Sequence, residues 1–314
     1  MRTAENEDRN ASQLAGPRLS VVSVTYNSAE VLPGLLDSLK EGLAGVEAVE
    51  IVIADNDSVD ASVEIALDHP SKPRVVQMGR NAGYAAGINA ASAVIRKDAN
   101  LLIMNPDIRL MPGAARVLLE RLSDPSVGVA VPKVFEADGR LSWSLRREPS
   151  LVTGWTDAVL GGTLSARLGT GEKVGNPVRY QKGATIDWAE GSVLVVAARA
   201  RALVADWDES FFLYSEETDF MRRVRSSGLS VAYVPEAEAI HIGGDYNNPR
   251  LAALLAHNRI KYYRRHHGAA STALFRMSIA LGEGFRAARG PAHRAAALIA
   301  LFPPSREGID LVIR

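Results

Sequence analysis

The 314-residue chain contains no cysteine. Disulfides, thiolate metal sites and a cysteine nucleophile are therefore excluded. It also carries no net charge, because 36 Lys and Arg balance 36 Asp and Glu. A dedicated nucleic-acid binder shows a basic surplus, so no nucleic-acid partner is expected. No run reaches the roughly 18 apolar residues of a spanning helix. The most apolar late stretch, Ala295 to Phe302, is far too short. Met1 to Pro17 is polar and lacks the apolar centre of a secretory signal, so residues 1–17 read as a disordered lead-in. Three nucleotide and hydrolase signatures are missing too. There is no G-x-G-x-x-G after the first apolar run, no Walker A loop and no G-x-S-x-G elbow. Dinucleotide dehydrogenases, P-loop NTPases and ordinary α/β-hydrolases lose their support.

Apolar residues are plentiful, at 47% of the chain. That suffices for one α/β domain of roughly 220–250 residues plus an appendage. Leu19 to Val24 is a short β-branched run, followed by Thr25-Tyr26-Asn27-Ser28. A helix then runs to about Leu43, with Val31, Leu35, Leu36 and Leu39 at helical spacing and Ser28 placed to cap it. Glu50 to Ala54 is a second strand, ending at Asp55-Asn56-Asp57-Ser58, before a helix from Ala61. Arg74 to Met78 is a third, followed by Arg80 to Tyr84 and a helix from Ala85. Leu101 to Met104 is a fourth, ending at Asn105-Pro106-Asp107. This alternation implies a mainly parallel sheet with right-handed crossovers. Polar residues cluster each time just past the C-terminal end of a strand, where open α/β sheets bind ligands.

The second half is more mixed. Val127 to Val131 and Gly191 to Ala197 read as strands, and Glu136 to Arg147 as a hairpin or loop. Leu151 to Asp187 is rich in glycine and polar residues without periodicity, and reads as a mobile loop. Val231 to Val234 is a strand with His241 soon after, and the chain is helical from about Pro249.

Several groups have the chemistry of a nucleotide site. Asp55 and Asp57 end a strand, where carboxylates read base N–H and ribose hydroxyl groups; the same residue types also favour plain turns. Asp107 suits a divalent cation shared with phosphate oxygens. His241 offers a second nitrogen ligand. Glu216, Glu217 and Asp219 crowd the start of a helix, where they suit its dipole and raise one another's pKa toward the range of a general base. Asn81, Gly83, Gly87 and Asn89 allow close approach of backbone to a ligand.

Taken in order, the segments VVSVTYNS, IVIADNDSVD, GRNAGYAAGIN, LLIMNPD, FFLYSEETDFMRR and VPEAEAIHIGG resemble the family 2 inverting glycosyltransferases. The resemblance runs from Leu19 to Gly244. Its NPD form of the metal motif is similar to bacterial rhamnosyltransferases. WSLRREPSLVTGW and FLYSEETDF are similar to enzymes that add L-rhamnose to polyprenyl-diphosphate-linked N-acetylglucosamine. The resemblance implies a GT-A fold: a Rossmann-like mixed α/β sheet flanked by helices, occupying residues 18–248, with a helical C-terminal extension at 249–314.

It also implies roles. Thr25, Tyr26, Asn27, Asp55 and Asp57 surround base and ribose, Asn81, Gly83 and Asn89 shape the nucleotide pocket, and Asn105 stands where a DxD motif has its first Asp. Asp107, helped by His241, binds Mg2+ or Mn2+. Glu217 is the base, in a position where the family usually has Asp; Asp219 is the reserve and Glu216 completes the cluster. The implied donor is TDP-rhamnose, with a UDP-sugar as the alternative. The implied acceptor is a glycan or a polyprenyl-diphosphate-linked sugar, in cell-envelope polysaccharide synthesis. The implied location is the cytoplasm, peripheral on the inner face of the plasma membrane. Lys261, Arg264, Arg265, His266 and His267 read as a solvated helix face or, with Tyr262, Tyr263 and Phe275, as a surface facing an anionic membrane or the diphosphate of a lipid-linked acceptor. A nucleotidyltransferase is disfavoured because TYNS stands where its glycine-rich basic loop belongs. A nucleotide-sugar-binding protein without transfer activity is disfavoured because Asp107, Glu217 and His241 are all present.

Overall fold

The computed structural model of the chain describes residues 19–243 and 248–302. The lead-in expected at residues 1–17 and Gly244 lie outside them. Strand β1 (Leu19–Thr25) is buried along its whole length. Its run of Leu, Val and Ser suits a central parallel strand, which has no solvent face and so no alternation. It pairs in parallel with β2 (Val49–Asp55) on one side and β4 (Asn100–Met104) on the other. β3 (Arg74–Gln77) extends the β2 side. The sheet order is thus β3-β2-β1-β4, and the winding reverses between β1 and β4. A crevice opens at such a reversal, outside the carboxyl ends of the two strands. Register aligns Ser23 with Met104, so Val24 and Asn105 come next to each other where the pairing ends at its rim.

Three helices cover this half. α1 is Leu32–Gly42, α2 is Ser62–Asp68 and α3 is Tyr84–Val94. Ser28 does not cap α1, as its position had promised. The helix starts later, behind Val31 with Pro33 in its first turn, and the carbonyl of Ser28 accepts from the N–H groups of Val31 and Leu32 in the preceding turn. The sheet continues past β4 through β10 (Val193–Val196), antiparallel to both its neighbours. Then come β6 (Val127–Glu136), β11 (Ser230–His241) and the short β5 (Ile108–Leu110), with β8 (Ala184–Ile186) also on β11. α4 (Ala114–Leu122), α7 (Ala198–Val204) and α8 (Glu216–Ser226) pack on this half. β7 (Leu145–Arg146) and β9 (Trp188–Ala189) form a separate two-stranded ribbon.

The expected loop at 151–187 is instead largely ordered. It holds α5 (Leu151–Leu160), α6 (Gly162–Leu168) and a 3-10 turn at Pro177–Tyr180. α5 begins with a capping box, in which Ser150 and Thr153 satisfy each other's backbone N–H. Its glycines hid the period for a packing reason. A Cβ on Gly154 would lie 3.1 Å from the Phe275 ring, so glycine here permits close helix contact.

Three C-terminal helices follow: α9 (Pro249–His266), α10 (Ala269–Arg286) and α11 (Pro291–Leu301). They bury a second apolar core containing Ala256, Tyr263, Phe275, Ile279 and Ala300. Of the expected membrane-facing surface on α9, Arg264 and His266 are exposed, but the remainder is corrected here. Tyr262, Tyr263 and Phe275 are buried, and the Tyr263 and Phe275 rings stack 4.0 Å apart. The Lys261 ammonium donates to the Ser210 carbonyl, and Arg265 bonds Asp208 and Ser210. These cations fasten the segment before α8 instead of facing a bilayer.

Candidate active site

One cleft of about 1060 Å³ starts at the β1 and β4 ends and runs to α5, α6 and α9. Its first wall is Val24, Tyr26, Ser28, Asn105, Pro106 and Asp107. Asp107 is placed by backbone pairing. β11 meets β5 with His241 opposite Ile108, and the N–H of Ile242 donates to the carbonyl of Asp107 at 2.9 Å. The same register brings His241 Nε2 to 3.1 Å from Asp107 Oδ2. Burial disfavours the imidazolium, but the hydrogen bond and charge of Asp107 leave the His241 pKa raised. The other carboxylate oxygen, Asp107 Oδ1, is buried with no hydrogen-bond partner. Gly243 lies against Asp107; a Cβ there would fall 2.5 Å from Oδ2.

An orphaned buried carboxylate oxygen beside an imidazole fits a divalent cation. Mn2+ accepts both oxygen and nitrogen donors, and Mg2+ commonly takes one or two protein carboxylates with phosphate oxygens completing its shell. Among the described residues no group of three or more acidic or histidine side chains converges on one point. A cation held here would therefore be shared with a ligand.

The acidic end of the site is set by strained backbone. Tyr214 and Ser215 both have positive φ, 73° and 72°, a region that non-glycine residues seldom enter. The turn delivers Glu216 and Glu217 to the cleft at the start of α8. It is pinned from two sides. The Tyr84 N–H donates to the Phe212 carbonyl at 2.8 Å, and the buried Asn258 of α9 donates to the Leu213 carbonyl at 2.8 Å. Burial pushes the Glu216 carboxyl well above its ordinary value, with the neighbouring Glu217 adding to it. Burial also pushes Glu217 up to about 7; Glu190 adds to this and Arg146 opposes it. A carboxyl raised by burial toward neutrality has the titration of a general base. Asp219 does not line the cleft. It accepts from Arg223 at 2.8 Å and lies 3.4 Å from Arg265, so it anchors α8.

The other expected residues divide into lining and supporting. Tyr26 is exposed at the rim. Thr25 and Asp55 are buried, with the Thr25 hydroxyl donating to Asp55 at 2.8 Å, and Asp55 also takes the Ser58 N–H and hydroxyl. They tie the ends of β1 and β2 together. Asn27 and Asp57 have positive φ, and Asn27 accepts from the Val59 N–H at 2.9 Å. Asn81 accepts from the Gly83 N–H at 3.2 Å. Asn89, expected beside the nucleotide, instead clamps the backbone of Trp207 through both its amide atoms, at 2.9 Å each. Its side chain holds the segment leading to the Tyr214 turn.

Sequence reasoning passed over three residues of the cleft. Tyr84 read as the end of the segment before a helix from Ala85, whereas it is the first residue of α3. Burial raises its hydroxyl pKa well above the usual phenol range, and the charges of Glu216, Asp107 and Glu217, which line the same cleft, push it further. Arg146 and Glu190 pair with each other across the β7–β9 ribbon. No motif marked them, because the ribbon joins two segments far apart in the chain.

Gly83 yields a prediction. Its φ is +92°, and a Cβ there would sit 2.4 Å from the Phe212 carbonyl oxygen. Gly83→Ala therefore displaces the turn carrying Glu216 and Glu217. Turnover of the variant falls by about 10²-fold, the usual cost of misplacing a catalytic group by an ångström. Steady-state kinetics on a variant shown to be folded checks this, and wild-type turnover would refute it.

Comparison with known proteins decides the class. The Glycosyl transferase family 2 model matches residues 20–175. N-acetylglucosaminyl-diphospho-decaprenol L-rhamnosyltransferase of Mycobacterium tuberculosis is 32% identical over 241 residues, covering 71% of this chain and 75% of that protein.

The chain belongs to glycosyltransferase family 2.

Rhamnosyltransferase WbbL of Escherichia coli K12 is 22% identical over 229 residues, covering 70% of this chain and 82% of its own. Among solved structures, the mannosyltransferase PcManGT of Pyrobaculum calidifontis, in complex with GDP-Man and Mn2+, superposes with a TM-score of 0.54 at 16% identity. That match covers 95% of this chain and 79% of the other. GalNAc-T7 with UDP, GalNAc and Mn2+ gives 0.55 at 14% identity over 77% of this chain, which spans only 47% of that one. These likenesses show the fold, which is GT-A: a mixed sheet flanked by helices, with further helices at the C-terminus. The family 2 chain is thus a glycosyltransferase with rhamnosyltransferase homologues, and the fold neighbours hold Mn2+.

Proposed function

We propose that this glycosyltransferase moves L-rhamnose from TDP-rhamnose, with inversion, to a hydroxyl of polyprenyl-diphosphate-linked N-acetylglucosamine in cell-envelope polysaccharide synthesis. Residues 18–248 form the catalytic unit and 249–314 an extension, and the enzyme works in the cytoplasm at the inner face of the plasma membrane. One observation carries the chemistry. A carboxyl poised at about pKa 7, Glu217, lines the same cleft as the Asp107–His241 pair at the β1/β4 reversal. The choice of sugar and acceptor leans on the mycobacterial relative's name and 32% identity.

Glu217 takes the proton of the acceptor hydroxyl. The freed oxygen bonds to the anomeric carbon as the bond to the diphosphate breaks on the opposite face, through an oxocarbenium-like transition state. Asp107 and His241 would hold Mg2+ or Mn2+, which supplies charge neutralisation for the departing diphosphate. Tyr26, Asn27 and Asp57 face the nucleotide at the rim, Thr25 and Asp55 fix the strand ends beneath it, and Asn105 lines the cleft beside Asp107. Arg146 and Glu190 set the field at Glu217.

The test is a panel of nucleotide sugars assayed for nucleoside diphosphate release with and without chelator. Chelator-sensitive release from TDP-rhamnose, increased by a lipid-linked N-acetylglucosamine, supports the reading. Release from a UDP-sugar instead replaces the donor. Absence of both release and TDP or UDP binding would leave a protein that is no transferase for these donors.

A further inference from the structure

The three C-terminal helices bury a core, yet they also expose apolar side chains. Thirteen of the nineteen large exposed hydrophobics among the described residues lie on α5, α6 and the segment 249–302. The clearest case is α10. Leu274, Met277, Leu281 and Phe285 recur at helical spacing along one stripe and are 41–73% exposed. Phe275 and Ile279 of the same helix face the second core. A helix that is apolar on two faces has two partners. α10 packs against both α5 and α11. Those neighbours expose Val152 and Val159 on one side, and Leu298, Leu301 and Phe302 on the other. Exposed apolar side chains concentrated on helices that pack together mark an interaction site.

We propose that this surface docks on an anionic lipid bilayer, with α10 lying in the interface. No helix among the described residues is long and apolar enough to cross a membrane, so the contact is monotopic. Charge selects the bilayer over a second copy of the chain. Residues 268–302 carry four arginines against the single acid Glu283; Arg286 pairs with Glu283 and Arg276 bonds the Ala300 and Leu301 carbonyls, which leaves Arg289 and Arg294 as the exposed positive charge. Such a face is drawn to lipid phosphates, whereas two copies of it placed together would repel. Position agrees. Arg286 and Arg289, just past the exposed Phe285, also line the active-site cleft, as do the exposed Leu160 and Leu164 of α5 and α6. The cleft mouth thus borders the docking face, so a lipid-linked acceptor would reach the cleft without leaving the membrane. That last consequence rests on the proposed acceptor; the docking itself does not.

The experiment is flotation of the full chain with phosphatidylcholine vesicles, with and without phosphatidylglycerol. Wild type floats with the anionic vesicles and detaches as salt rises. The double variant Leu281→Glu with Phe285→Glu partitions about tenfold less or worse. Leu203→Glu, a change at an exposed leucine of α7, floats like wild type. All three proteins keep equal donor hydrolysis, which shows that they are folded and that the loss is one of docking. A wild type that stays in solution, or a double variant that floats equally, overturns the proposal. So does a wild-type dimer in size-exclusion chromatography that the double variant converts to monomer, since a second copy would then own the face. Intact flotation without any turnover of TDP-rhamnose would instead count against the proposed donor and leave the docking face standing.

Discussion

Glu217→Gln lowers sugar transfer by about 10²–10⁴-fold, the usual contribution of a positioned base, and leaves donor binding nearly unchanged. Gln fills almost the same volume, so the pinned turn and its strained Tyr214 and Ser215 stay where they are. Only the ability to take a proton is lost. The pH profile gives a second readout with a definite sign. A base works in its ionised form, and burial moves the Glu217 carboxyl up from an ordinary 4.5 to about 7. The wild-type rate therefore rises with pH below about 7 and levels off above it, and the Gln variant's residual rate loses that limb. Glu216 shares the burial and is likewise raised well above its ordinary value, with the neighbouring Glu217 adding to it, so the two carboxyls titrate as a coupled pair. Measured kcat against pH for both proteins checks this. A Gln variant with wild-type turnover would remove Glu217 as base. Asp219 would not simply inherit the role, because Arg223 and Arg265 already hold its carboxylate outside the cleft.

Much of this site is legible in the sequence because its parts are local. The polar ends of β1, β2 and β4 follow buried runs directly, so the strand-end cleft and Asp107 can be read off Leu19 to Asp107 without any tertiary knowledge. His241 is harder. It is a lone histidine near a glycine pair, and only the antiparallel pairing of β11 with β5 puts it on Asp107. Arg146, Glu190 and Asn258 are harder again, since each depends on a contact between segments far apart in the chain. The misreadings have one physical origin. Glycine and hydroxyl residues look like loop, but in α5 they serve as close-contact and capping positions. Basic and aromatic residues on α9 look like a membrane face, but Lys261 and Arg265 bond the segment before α8 and Tyr263 stacks on Phe275 in the second core. Composition reports which groups are present, and only packing decides which way they point. Tyr84 shows the same limit: its helix is obvious, while its place in the same cleft as three carboxylates is a property of the fold.

Asp107→Asn removes a charge and keeps the shape, which makes it the sharpest probe of the cation site. The wild-type carboxylate has one oxygen engaged by His241 and the other buried without a partner. An unmet buried oxygen is a standing cost that a bound cation relieves. The amide offers only one acceptor, and its N–H2 group turned toward a cation is repulsive. The variant is expected to lose about 10²–10³-fold in turnover, comparable to removing one preorganised electrostatic contact to the transition state. It should also bind Mn2+ more weakly in the presence of TDP, which paramagnetic resonance or calorimetry reads without any catalysis. His241→Ala should cost less. It deletes a neutral donor where diphosphate oxygens and water can substitute, whereas Asp107 supplies the charge that draws the ion in. The order of the two effects is the decisive feature. If His241→Ala proved the more damaging, the histidine would be acting on the substrate itself, and the pair would be a hydrogen-bonded dyad with no cation to hold. If Asp107→Asn kept full, chelator-sensitive turnover, the ion would be held elsewhere, and the orphaned oxygen would need another partner.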